Sequence, residues 1–216
     1  FCEKKNIYLI MDDIYHKLVF DGVRPSPGWR FTNQDIESTR VIVVNGISKL
    51  YGMTGFRIGW AVANPKIIEV MSIIQSHQTS GPSGLLQKAA IAAINGTQSC
   101  VDNLVMTLEN NAGVMVRRLK AFDGVKVTPP DGTFYCFADF STYNKDSTKL
   151  AEFLLNKVMV CTVPGVEFGM EGHLRLSTCG TSKEIIEGIE RMKWALDPNS
   201  PNELIIGQRK MVRDWL

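Results

Sequence analysis

The sequence predicts an α/β fold, part of a mostly parallel sheet with helices, followed by a small α+β domain toward the C-terminal end. Three observations predict it. Short apolar runs alternate with polar loops over residues 1 to about 80, long helical periodicity follows, and short strand patterns then return between helices. The first run, Ile7-Tyr8-Leu9-Ile10-Met11, is continuous, which is the pattern of a strand buried on both faces in a parallel sheet. Residues 41–44 and 56–63 read as further strands, and Pro25-Ser26-Pro27-Gly28 as a turn between them.

The stretch Thr79-Ser80-Gly81-Pro82-Ser83-Gly84 breaks this pattern, and a helix is expected over about 85–94. A longer helix over about 101–122 is expected because Val101, Leu104, Val105, Leu108, Ala112, Met115, Val116 and Leu119 fall at helical spacing. Residues 125–128 and 133–140 are strand-like on either side of Pro129-Pro130-Asp131-Gly132; 150–158 is helical and 174–177 a strand. The last helix opens at a capping box, Thr181 with Glu184, and carries Ile185, Ile186, Ile189 and Met192. Beyond Pro198 the tail reads as a short helix or a frayed end. The expected organisation is therefore a first domain over 1–95, a connecting helix over 96–122, a small domain over 123–197 and a tail over 198–216.

Composition narrows the partners. With 44% hydrophobic and 21% charged residues in 216, the chain can bury a sizeable core. A net charge of +2 gives no footprint for nucleic acid or an anionic membrane surface. No apolar run approaches the roughly 20 residues that span a bilayer. The five cysteines, Cys2, Cys100, Cys136, Cys161 and Cys179, lack paired metal spacing, so no metal site is expected. They read as reduced, mostly buried packing residues of a cytoplasmic protein.

Chemistry concentrates around Lys49. It lies in a glycine-flanked loop after the strand at 41–44, and Arg57 follows near the start of the next strand. A lysine captures an aldehyde as a Schiff base when part of it is neutral, which burial or a neighbouring cation promotes, while an arginine grips phosphate through its planar fork. That pair suits a phosphorylated aldehyde. Upstream, Asp12-Asp13-Ile14-Tyr15 ends the first strand, where open sheets place their ligands. Alone, this tetrapeptide is also a common turn or helix cap. A carboxylate there can pair with a protonated pyridine nitrogen, and Tyr15 can reach a ring oxygen. On the strand at 174–177, His173, Arg175 and Ser177 alternate with Leu174 and Leu176, giving one polar and one apolar face.

These blocks, with Ser48-Lys49, Met53 through Trp60, Pro130-x-Gly-x-Phe134-Tyr135 and Leu174-Arg175-Leu176-Ser177, resemble the signature blocks of the class I/II pyridoxal-phosphate aminotransferases in order and spacing. The resemblance extends to about residue 196. It implies a pyridoxal 5'-phosphate cofactor, with Lys49 as Schiff-base lysine and proton shuttle, Asp12 on the pyridine nitrogen, Tyr15 on the ring oxygen and Arg57 on the phosphate. Arg175 would hold the substrate's α-carboxylate. It further implies amino-group transfer between an L-amino acid and a 2-oxo acid in a homodimer with a shared active site. Val163-Pro164-Gly165 through Gly169 resembles the loop that leads to the substrate arginine, and residues 75–83 fall where partner subunits meet. His16 and His173 read as surface or packing residues.

Two departures matter. Some relatives carry a phosphate-binding serine at the position held here by Gly46. Family members are also about twice this length, and their first half supplies a phosphate loop, a ring-stacking aromatic and an asparagine that have no counterpart here. The chain is thus expected to be a C-terminal half, a fragment inactive or nearly so alone. Two other outcomes share the same blocks: a carbon–sulfur β-lyase or related synthase, and an aminotransferase-like sensing domain of a transcription regulator, which would bind cofactor without turnover.

Overall fold

The computed structural model describes residues 1–215, and the chain divides into two units, Phe1–Val105 and Met106–Leu216. The first unit opens with a helical turn, α1 (Cys2–Lys5), and builds a three-stranded sheet in the order β1 (Leu9–Asp12), β2 (Val41–Gly46), β3 (Gly59–Val62). β1 runs parallel to β2 and pairs Asp12 with Val44, whereas β3 runs antiparallel to β2 and pairs Gly59 with Gly46. The α/β class is as expected, with one parallel and one antiparallel pairing in this part of the sheet.

β1 is not buried on both faces. The turn at Gly28–Phe31 covers the side bearing Met11 and Val43, where a side chain on Gly28 would meet Met11 Cβ at 2.7 Å. On the other side Ile10 is 66% exposed. β3 likewise starts later than the apolar run suggests. Thr54–Phe56 forms a 3-10 turn that Arg57 terminates in the left-handed region at φ 52°, so the strand begins only at Gly59.

Helix α2 (Pro65–Thr79) departs from the expected strands and loops over residues 1 to about 80. Its start signal is present in the sequence: Asn64 accepts a hydrogen bond from the Lys66 N–H, and Pro65 occupies the first turn, where its missing N–H costs nothing. The segment 75–83 is therefore the end of a helix followed by a short loop. α3 (Gly84–Asn95) and the first part of α4 (Ser99–Leu119) complete the unit. Ile47, Ile58 and Ala90 are buried together, with Tyr51, Met53, Phe56 and Leu86 packed on them.

The second unit is an antiparallel sheet in the order β4 (Lys126–Val127), β5 (Tyr135–Asp139), β7 (His173–Ser177), β6 (Val163–Pro164). Its inner face, with Cys136, Ala138, Leu174 and Leu176, packs with α5 (Ser147–Val158), α6 (Ser182–Leu196) and the later turns of α4. The predicted spacing along α4 holds, with Leu108, Ala112, Met115, Val116 and Leu119 all buried. The Thr181–Glu184 capping box is complete: each side chain accepts from the other's backbone N–H.

The tail is neither helix nor frayed end. It forms a hairpin, β8 (Glu203–Ile206) and β9 (Arg209–Val212), turning at Gly207-Gln208 with Gly207 at φ 63°. Ile206 and Met211 enter the core of the unit. No helix among the described residues is long and apolar enough to cross a membrane, and no cluster of metal-ligating side chains is found among them.

The cysteines are all free, but only Cys136 is buried; Cys100, in the first turn of α4, and Cys161 and Cys179, on irregular segments, are exposed. Burial pushes the Cys136 thiol up to about 11, because the thiolate would lose its hydration. At mildly alkaline pH a chromogenic disulfide reagent is expected to titrate Cys100, Cys161 and Cys179 in the native protein and to reach Cys136 only after unfolding. Leu154→Ala, at a side chain with no exposed area, is expected to cost about 2–5 kcal/mol in a denaturant titration.

Candidate active site

Register assembles the first group of residues. Parallel pairing of β1 with β2 puts Asp12 beside Val44 at the carboxyl ends of both strands. The Asp13 N–H donates to the Val44 carbonyl at 2.8 Å and leads into the turn that carries Tyr15. β2 continues into the loop of Lys49, and β3 enters from the same edge beyond Arg57. Asp12, Tyr15, Lys49 and Arg57 thus gather at one edge of one sheet. β1 and β3 are two strand spacings apart, about 10 Å, the scale of a small aromatic ring with a phosphate arm.

The two adjacent aspartates have different tasks. Asp13 accepts the Gly28 N–H at 2.7 Å and so holds the Gly28–Phe31 turn over the sheet. Asp12 is exposed, and one of its oxygens accepts the Ile14 N–H at 3.2 Å. The turn reading of this tetrapeptide and a ligand-binding role for Asp12 are therefore compatible. His16 helps to fix the same turn: its Nδ1 lies 2.9 Å from the Asp13 carbonyl and 3.0 Å from the Asn45 side-chain nitrogen, and serves one of them at a time according to tautomer.

The Lys49 loop is pinned on both sides. Ile47 and Leu50 are buried, the Ile47 N–H donates to Ile58, and the Tyr51 hydroxyl donates to Gln98 at 2.9 Å. Lys49 itself is half-buried. Arg57 is exposed and donates one N–H to the Thr54 carbonyl at 3.0 Å. It lines a groove of about 750 Å³ together with Ser72, Gln75, Ser76, Thr79 and Ser83. The donor set of carboxylate, phenol, amine and guanidinium on one sheet edge fits pyridoxal phosphate, each group matching a different part of that molecule.

Arg175, on β7 of the second unit, sits on the outer face of its own sheet, as the alternation predicted. Its guanidinium carbon is 4.3 Å from the Tyr135 ring centroid and 4.5 Å from that of Phe168. His173 stacks on Phe137 at 5.0 Å, a packing role as expected. Tyr135 belongs to a quoted motif but carried no assigned role, and Phe168 sits at the end of the Val163-Pro164-Gly165 loop; their convergence on Arg175 depends on strand pairing that spacing alone does not reveal.

Gly46 shows why a serine is absent there. A side chain at this position would meet the Ile58 carbonyl at 2.9 Å and Gly59 Cα at 3.2 Å. Gly46→Ser is accordingly expected to destabilise the fold by about 1–3 kcal/mol, seen as a lower thermal midpoint with no gain in phosphate affinity.

Sequence and structure comparisons agree with one another. A family model for aminotransferase class I and II matches residues 1–192. The chain is 33% identical over 205 residues to an aspartate aminotransferase of Rhizobium meliloti (strain 1021), across 89% of this chain and 49% of that protein. It is 33% identical over 203 residues to a probable aspartate/prephenate aminotransferase of Rickettsia prowazekii (strain Madrid E), across 88% and 50%. Among solved structures, the aspartate aminotransferase from Rhizobium meliloti superposes with a TM-score of 0.84 at 31% identity, over 90% of this chain and 51% of that one. The chain spans about half the length of the curated relatives it matches.

Proposed function

The chain belongs to the class I and II aminotransferase family, and on that premise we propose that its protein moves an amino group from an L-amino acid to a 2-oxo acid with pyridoxal 5'-phosphate. The observation that carries the reading is the gathering of Asp12, Tyr15, Lys49 and Arg57 on one sheet edge. When bound, the cofactor supplies an aldehyde that takes up the amino group and a ring that withdraws electrons from the substrate's α carbon.

Each residue then has a distinct task. The Lys49 Nζ holds the cofactor covalently between turnovers and removes the proton from the substrate Cα. The Asp12 carboxylate accepts a hydrogen bond from the ring N–H, and its negative charge keeps that proton in place. Tyr15 donates to the ring oxygen. Arg57 meets the phosphate with its fork, and Arg175 meets the substrate's α-carboxylate in the same way. The relatives named for aspartate support that amino acid as the first donor to assay.

The family supports a homodimer with a shared active site, and the exposed Val70, Met71, Ile73 and Ile74 of α2 are consistent with a partner. The free cysteines support the cytoplasm as its compartment. Residues 1–95 are read as part of the large cofactor-binding domain, 96–122 as the connecting helix and 123–197 as the small domain. The chain spans about half the length of its relatives, and the 216 residues alone are proposed to be nearly inactive.

Borohydride reduction of the cofactor-loaded full-length protein followed by peptide mapping is expected to label Lys49. Label on another lysine instead would overturn the assignment. Lys49→Ala is expected to slow transamination of aspartate by about 100-fold or more, read as 2-oxo acid formed.

A further inference from the structure

Arg175 is held in an unusual way for a cation on a strand. Its register neighbours on β5 and β6, Phe137 and Val163, are apolar. Among the described residues it takes part in no ion pair; those present involve Arg118, Lys149, Lys157, Arg191 and Lys210. What surrounds it is aromatic. Tyr135 comes from β5 and Phe168 from the turn at Gly165–Phe168, and both rings lie within 4.5 Å of the guanidinium carbon. Phe168 is itself braced by Phe137, edge to face at 5.8 Å.

We propose that Tyr135 and Phe168 are positioning residues that hold the Arg175 guanidinium in place, partly stripped of water, for a substrate carboxylate. The inference rests on the reading of Arg175 as the carboxylate-binding residue and adds how it is held. A protein carboxylate would fix the side chain equally well but would occupy the N–H donors that an incoming carboxylate needs. Aromatic rings attract the cation through their π electrons and leave those donors unspent. They also remove rotamer freedom before the substrate arrives, so less ordering cost falls on binding. Loss of a ring should therefore weaken ground-state and transition-state binding alike, raising KM more than it lowers kcat.

The test uses the pyridoxal-phosphate-loaded full-length protein and propionate, an unreactive monocarboxylate, as a competitive inhibitor against the amino acid. Phe168→Leu and Tyr135→Leu are each expected to raise the propionate inhibition constant about 3- to 30-fold, the range of one cation–π contact. Tyr135→Phe keeps the ring and should stay within about two-fold of the unaltered protein. Cofactor affinity and thermal midpoint should stay constant for Phe168→Leu, which removes a side chain already 46% exposed and so decides the matter if Tyr135→Leu folds poorly. Unchanged propionate inhibition in Phe168→Leu, alongside a large rise in Arg175→Lys, overturns the positioning role alone. Unchanged inhibition in Arg175→Lys overturns the carboxylate reading beneath it.

Discussion

The pairing of β2 with β3 is the constraint on which the rest of the first unit depends. Gly46 faces Gly59 across that pair, and the backbone of one strand approaches the other too closely for any side chain to stand between them. This contact fixes where β2 ends and where β3 begins. The intervening residues must then return as a tight loop, and Ile47 and Leu50 bury themselves to hold it. Lys49, between them, gains a fixed position without being part of a strand or helix. Arg57 obtains its place from the same closure, at the left-handed residue that ends the 3-10 turn. A residue other than glycine at φ 52° is conformationally costly, and the closure of the loop onto β3 is what compensates for it.

The two groups of proposed site residues are fixed by different physics. Asp12 ends β1, and Tyr15, Lys49 and Arg57 stand on the loops past strand ends, where hydrogen bonds made by Asp13, His16 and Tyr51 tie the loops to neighbouring segments. Arg175 stands on a strand, where β-pairing on both sides sets its backbone and two aromatic rings hold its side chain. Loops permit the convergence of groups from several strands, which a cofactor with several distinct polar atoms requires. A single carboxylate needs only one fork, and a strand offers the more rigid mounting.

Much of this was legible in the sequence because it is local. The helical spacing along α4, the Thr181–Glu184 box and the alternation on β7 each involve residues within a few positions of one another, and each formed as expected. Local signals fail where tertiary context overrides them. Residues 7–11 form a continuous apolar run, yet only one face is covered. None of the apolar residues in α2 is buried within the described residues, so burial periodicity is a poor guide there while Asn64-Pro65 is a good one. Cysteine burial fails in the same way: Cys161 and Cys179 lie on irregular segments next to strand ends and stay exposed whatever their hydrophobicity.

The C-terminal hairpin shows the limit of local reading most clearly. The family match stops at residue 192, but the chain beyond it is built into the second unit. Helix α6 ends with carbonyls that have no partners within the helix, and together they form the negative pole of the helix dipole. Arg213 supplies both needs: its guanidinium donates to the carbonyls of Trp194, Asp197 and Pro198 and lies over the Trp194 ring at 5.2 Å. The Trp194 indole in turn donates to the Pro201 carbonyl at 2.8 Å, which anchors the strand leading into the hairpin. The N-terminal cap of α6 is thus encoded within four residues and can be read from them, whereas its C-terminal cap comes from a residue a whole hairpin away. Only after the hairpin folds back does Arg213 reach the helix it completes, so the tail is held by the helix and caps it in return.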